Sequence, residues 1–240
     1  NTILLTVIAV ATLLVAVVSS LGAVLLPRVC SYIASGNMEG FKVLCSKALN
    51  FIVLLSIPLI FYFVYFAESV ILLFSGPEFF GAILPMKIIM PSILCIGLTN
   101  IIGIQMLVPL GRENSVLYSE IAGAIVDLIL NAIFIPVWGA SGAALGTLAA
   151  EIVVLIFQIY SCRDYVIPML VRIGYVKIVL SAAFALIGSF WLAFTKLPEI
   201  LVVLYSFSLF CFIYIISLFL MKEKGTYASF RILFQNNRKE

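Results

Sequence analysis

The sequence predicts an all-α integral membrane protein of about seven transmembrane helices, and three features of it lead there. Of its 240 residues, 64% are hydrophobic and only 10% are charged, whereas a water-soluble domain carries about 25% charged residues to cover its surface. The apolar residues fall in runs of spanning length, matched to a hydrocarbon core of about 30 Å that takes about 20 residues of helix. Lysine and arginine concentrate in every second loop between those runs, the pattern of a chain threaded back and forth through a membrane. Unpaired amides are costly in lipid, and the runs lack the two-residue alternation of a barrel strand, so the spans read as helices.

Taken in order, the spans are 2–26, 48–66, 83–108, 115–135, 142–160, 175–194 and 201–220, with a basic tail over 222–240. The first lacks a basic leader and a small-residue cleavage site, so it reads as a span and not as a signal peptide. Because the chain opens at Asn1 and not at a methionine, it reads as the later part of a longer protein whose N-terminal lobe is absent. Arg28, Lys42 and Lys47 follow the first span, Arg112 the third, Arg163, Arg172 and Lys177 the fifth, and Lys222, Lys224, Arg231, Arg238 and Lys239 the seventh. The opposite loops hold Lys196, with Lys87 near the outer end of the third span. The positive-inside rule then places the tail in the cytoplasm and the first residue outside, in the periplasm. Trp138, Trp191 and the cluster Phe61, Tyr62, Phe63, Tyr65 and Phe66 fall at the predicted outer ends, as an interfacial aromatic belt would.

Composition also excludes several classes of function. A net charge of +3 with scattered carriers is no nucleic-acid footprint. The chain has no histidine, and Cys30, Cys45, Cys95, Cys162 and Cys211 show no metal-binding spacing and no even framework for disulfides. Neither a metal nor another cofactor is expected.

Four ionisable residues remain at membrane depth: Lys87, Glu120, Asp127 and Glu151. An acid at the centre of a spanning helix costs about 2.5 to 3.5 kcal/mol on insertion scales, so such residues usually face a cavity or a partner. In the fourth span Glu120, Gly123, Asp127 and Asn131 are three or four residues apart and share one helical face. Asp127 and Asn131 either line a cavity or join helices by hydrogen bonds, and Glu120 either belongs to that face or pairs with Arg112 or Arg163. In the fifth span Thr147, Glu151 and Gln158 form a polar stripe beside the small residues Gly142, Gly146 and Ala150, which suit close helix packing. The third span contains Pro91, a kink or a hinge, together with Asn100 and Gln105 as candidate cavity residues. Lys87 either snorkels to the outer headgroups or faces the cavity.

The chain resembles the polysaccharide-exporter branch of the multidrug/oligosaccharidyl-lipid/polysaccharide (MOP) superfamily, and most of all its Wzx-type O-antigen flippases. The resemblance is carried by Leu26-Pro27-Arg28, Pro58, Phe74-Ser75-Gly76 with Glu78-Phe79, Pro109-Leu110-Gly111-Arg112, and Asn131 followed by Pro136. The run from Gly139 to Thr147 with Glu151 after it is its most specific part, and the whole covers about residues 26–151 in order. It implies a MATE-like two-lobe transporter of the bacterial cell inner membrane, with this chain supplying most of the second lobe. The implied substrate is an undecaprenyl-diphosphate-linked oligosaccharide, with membrane lipids, an O-antigen polymerase and a chain-length regulator as candidate partners. Family members usually carry a neutral residue where this chain has Asp127.

Three functions compete at this point. A flippase needs a polar cavity for sugar and diphosphate, with Arg28 and Lys87 as candidate diphosphate contacts at the two ends. A cation-coupled exporter of small molecules needs a cavity acid, which Asp127 or Glu151 supplies. A membrane enzyme such as a polymerase needs a large outer loop with catalytic groups, and the outer loops here are short, so no enzyme activity is expected.

Overall fold

The computed structural model describes residues 12, 14–16, 25–195 and 197–221. Most of the predicted span 2–26, Lys196 and the tail 222–240 lie outside the described residues.

Every regular element among the described residues is helical. Among the described residues, five helices are long and apolar enough to cross a membrane, and a bent pair makes a sixth candidate span. The short helix α1, Leu25–Ala34, ends at Gly36, whose φ of 70° suits a residue without Cβ. Asn37 then caps α2, Met38–Tyr65, by accepting the N–H of Gly40 at 2.9 Å. α2 starts well before the apolar run predicted over 48–66. Its first turns carry Glu39, Lys42 and Lys47 outward while burying Phe41 and Cys45, so the helix continues beyond the apolar slab as an amphipathic extension.

The predicted outer loop after α2 is itself helical: α3, Ala67–Ser75, is followed by a tight turn of helix over Pro77–Ala82. The chain re-enters as α4, Ile83–Ile89, and breaks at Met90 and Pro91 before α5, Ser92–Thr99. The two limbs of this span, Pro77–Ile89 and Ser92–Leu107, meet at 46°. Pro91 has no N–H to give, and its ring is incompatible with a continuous ladder there. Beyond Thr99 the helix widens into a π-helical segment, Asn100–Leu107, in which the Val108 N–H reaches back five residues to the Gly103 carbonyl.

A hairpin follows, α6 (Glu113–Trp138) and α7 (Ala140–Ser161), turned by Gly139 at φ 54°. α8, Arg163–Val171, is too short to cross a membrane and leads to α9, Tyr175–Ser189, and α10, Glu199–Leu220. α2 is the central strut, packed on α5, α8 and α9, while α7 packs on α4, α5 and α6.

The aromatic cluster at the end of α2 departs from the belt expectation. Tyr62 and Phe66 are buried, and Tyr62 packs on Phe207 and Phe210 of α10. Its hydroxyl lies 2.9 Å from Ser206 Oγ and 3.1 Å from the Val203 carbonyl, so the ring is a core tie between α2 and α10. Trp138 and Trp191 are about half exposed, as interfacial rings are.

Candidate functional site

The α6–α7 hairpin and the π-helical segment hold the polar residues of the membrane interior. Glycine lets the hairpin close. A Cβ on Gly142 would run into the Phe134 carbonyl, one on Gly146 into the Asn131 side chain, and one on Gly123 into Val154. These contacts make the two helices an intimate pair and bring the polar face of α6 onto α7.

At the end of the hairpin nearest the α7–α8 corner, Gln158 is almost fully buried and donates from Nε2 to Ser119 Oγ at 3.1 Å. Its amide also lies against Gly103 of the π segment, where a Cβ would come within 2.9 Å of Oε1. Gln158 thereby touches all three elements. Deeper along the pair stand Asp127 on α6 and Glu151 on α7, both partly buried. Further on, Asn131 packs against Gly146. Asn100 and Gln105 belong to the π segment, which packs on both α6 and α7.

The polar face of α6 is better described as Ser119, Gly123, Asp127 and Asn131, each four residues from the next, than as a face beginning at Glu120. Ser119 and Gly123 are the buried residues of α6, while Glu120 is exposed. Neither predicted ion pair of Glu120 forms: Arg112 donates to the Ser161 carbonyl at 2.7 Å, and Arg163 faces Asp164 at 4.0 Å.

Oxygen dominates what these elements leave open. Asn100 Oδ1, Gln105 Oε1, Asp127 Oδ1, Asn131 Oδ1 and Gln158 Oε1 are each buried and accept no hydrogen bond. A buried acceptor left unpaired costs about 1 to 3 kcal/mol, and native interiors contain few of them. Five lie along three packed elements, closed off by their neighbours in this conformation, and hydroxyl or amide donors or a cation would satisfy them only where those elements part.

Arg28 and Lys87 are not gathered into this column. Arg28 is exposed at the α1–α2 corner, lining a recess with Tyr32, Asn37, Glu39 and Lys47, and Lys87 is exposed on α4. A separate, wholly apolar groove of about 330 Å³ runs between α2 and α10, walled by Phe51, Leu55, Pro58, Phe207, Cys211 and Ile215 among others. The five cysteines are free thiols, and no group of acids and cysteines among the described residues is arranged to hold a metal ion.

Set beside known proteins, the helices align with part of a lipid transporter. The structure of the lipid II flippase MurJ in its inward closed conformation superposes with a TM-score of 0.71, covering 89% of this chain and 46% of that one at 18% identity. This chain has the fold of nearly half of that flippase. An uncharacterized membrane protein of Methanocaldococcus jannaschii is 27% identical over 169 residues, which are 70% of this chain and 33% of that protein. The chain thus spans about a third of that curated relative and under half of the flippase. No protein-family model matches the chain.

Proposed function

We propose that this chain forms most of the second lobe of a flippase that carries a polyprenyl-diphosphate-linked oligosaccharide, such as an O-antigen repeat unit, from the inner to the outer leaflet of a bacterial inner membrane. The observation that carries the reading is the superposition on nearly half of a lipid II flippase. The polar interior supports it. Asp127, Asn131, Asn100, Gln105 and Gln158 hold unpaired acceptor oxygens at membrane depth, and in a conformation that opens the bundle sugar hydroxyls are their natural partners. Such a cavity shelters the sugar and diphosphate while the prenyl chain stays in an apolar environment, and no bond need be made or broken. Two lobes rock about the cavity by alternating access, with Pro91 as a hinge and Gly142 and Gly146 keeping the hairpin rigid. Arg28 and Lys87, exposed on separate elements, serve as weak diphosphate contacts at the entrance and the exit. Weak sites are sufficient, because in a cell negative inside each negative charge moved outward releases about 2.3 kcal/mol per 100 mV. An O-antigen polymerase and a chain-length regulator fit as downstream partners.

A second reading has its own observation. Asp127 on α6 and Glu151 on α7 are both partly buried in the paired helices, and carboxylates among unpaired oxygens suit exchange of a cation for a small-molecule substrate in an exporter of the same superfamily.

Proteoliposomes containing the intact protein and a fluorescent polyprenyl-diphosphate oligosaccharide separate the two. Quenching with a membrane-impermeant reductant should show label crossing between leaflets, faster with an imposed potential and slower in Arg28→Gln and Lys87→Gln. An absence of lipid movement, with proton- or sodium-driven efflux of small dyes, would establish the exporter.

A further inference from the structure

At the α7–α8 end of the bundle, α2 and α8 enclose a basic recess of about 410 Å³ whose wall includes Lys42, Lys47, Arg172, Ser46, Tyr165 and Asp164. The cations arrive from two elements, Lys42 and Lys47 from the amphipathic start of α2 and Arg172 from the residue that ends α8. Lys42 Nζ stands 5.5 Å from the centre of the Tyr165 ring, which holds the ammonium at the wall. Asp164 faces Arg163 at 4.0 Å, and among the described residues no carboxylate lies within ion-pair distance of Lys42, Lys47 or Arg172. A second recess, of about 540 Å³, shares Val43 and Lys47 with the first and adds Arg28.

Apolar surface borders this charge. Val43 is 50% exposed, Ile167 48% and Val171 77%, while Val166 and Met169 anchor α8 to the core. A nine-residue helix between two spans, too short to cross and exposing Ile167 and Val171 beside Arg163 and Asp164, suits a position along the membrane surface. The recess therefore opens at headgroup level with an acyl-chain environment at its shoulder.

We propose that this recess binds the phosphate of an acidic phospholipid, whose acyl chains lie over Val43 and the outward face of α8. It is separate from the polar column of the α6–α7 hairpin and does not depend on what the protein transports. A soluble phosphate would use the cations alone, whereas the adjoining apolar residues select a lipid.

The test titrates phosphatidylglycerol and phosphatidylcholine onto the intact protein in detergent and counts bound lipid by native mass spectrometry. Phosphatidylglycerol should be retained in preference to phosphatidylcholine. Removing one basic contact should weaken retention by about fivefold in Arg172→Gln, and by about a hundredfold in the Lys42→Gln/Lys47→Gln/Arg172→Gln triple variant. Lys177→Gln, which removes an exposed charge from the same end but outside the recess, should change it by less than about twofold. Equal losses in Lys177→Gln and Arg172→Gln would overturn the site in favour of diffuse surface charge. Displacement of the lipid by millimolar inorganic phosphate would overturn the lipid as its ligand. If the triple variant does not fold, Arg172→Gln decides, with recovery in Arg172→Lys as the supporting result and unchanged binding in Arg172→Gln as the refuting one.

Discussion

Asp127 and Glu151 are acids that a bilayer core charges about 2.5 to 3.5 kcal/mol to accept, yet each has a neutral isostere of nearly the same shape. If they served only to pack the hairpin, Asp127→Asn and Glu151→Gln would be silent or stabilising. On the proposed reading both variants insert and express normally but transport more slowly, and Glu151→Gln flattens the dependence of transport on pH. Rates measured in proteoliposomes between about pH 5 and 9 decide this, and wild-type behaviour of both variants would leave packing as their only role. Gly142 makes a different prediction. Its added Cβ in Gly142→Ala meets a backbone carbonyl, which cannot rotate away, whereas in Gly146→Ala it meets the Asn131 side chain, which can. Overpacking costs about 1 to 3 kcal/mol, so thermal unfolding in detergent should drop more for Gly142→Ala than for Gly146→Ala. Helical spacing made the Asp127–Asn131 and Glu151–Gln158 faces legible in the sequence. It did not reveal Ser119, because Glu120 one position along drew the face toward the charge, and a carboxylate stands out in a sequence more than a hydroxyl does. Nor could it show that Gly103 leaves room for Gln158, since that fit joins residues far apart in the chain.

Among the elements, the apolar cores of the later spans were legible because hydropathy needs no tertiary knowledge: 115–135, 142–160, 175–194 and 201–220 all fall within helices. Elements at the membrane surface were not. The start of α2, all of α3 and α8 mix charged and apolar residues, so their helicity depends on packing against the bundle and leaves no long apolar run. The role of Tyr62 was hidden for the same reason, an aromatic at a span's end being equally at home in a belt or a core. Tyr62→Phe should therefore destabilise the protein by about 1 kcal/mol, by removing the donor and acceptor shared with Ser206 and Val203. Ser206→Ala should cost a similar amount, and the double variant less than the sum. Additive losses in thermal unfolding would show that the hydroxyls do not act together. The bend at Pro91 bears on function more directly. A static kink would leave Pro91→Ala with normal transport, whereas a hinge predicts a folded protein, no less stable than wild type, whose transport slows as position 91 regains an N–H for the Lys87 carbonyl.

For the whole molecule, the decisive property is which way it faces, since a recess or column has a direction of transport only once its ends are assigned. The described basic residues Arg28, Lys42, Lys47, Arg112, Arg163, Arg172 and Lys177 precede, join or follow the spanning helices at corners that alternate along the chain. Contacts tie several of these corners to one end of the bundle: Arg112 reaches the Ser161 carbonyl, and Lys42, Lys47 and Arg172 share one recess. The opposite corners, around Glu78, Gly139 and Pro198, hold Lys196 as their one lysine or arginine in the sequence, with Lys87 nearby in α4. Translocation of a short basic loop is opposed during insertion, and on that ground we propose that the basic end faces the cytoplasm. Cysteine labelling in intact cells tests this, using a background without the native cysteines because Cys30 is exposed near the α1–α2 corner. Ser35→Cys, in the exposed turn between α1 and α2, should resist a membrane-impermeant thiol reagent until the cells are opened. Glu78→Cys, in the exposed turn before α4, should react in intact cells. The two sites lie at opposite ends of α2, whose 28 residues span about 42 Å, so their accessibilities must be opposite if the helix crosses at all. Reaction at Ser35→Cys and protection at Glu78→Cys would invert the molecule. It would also place Arg28 at the exit, where it could not receive a diphosphate from the cytoplasm.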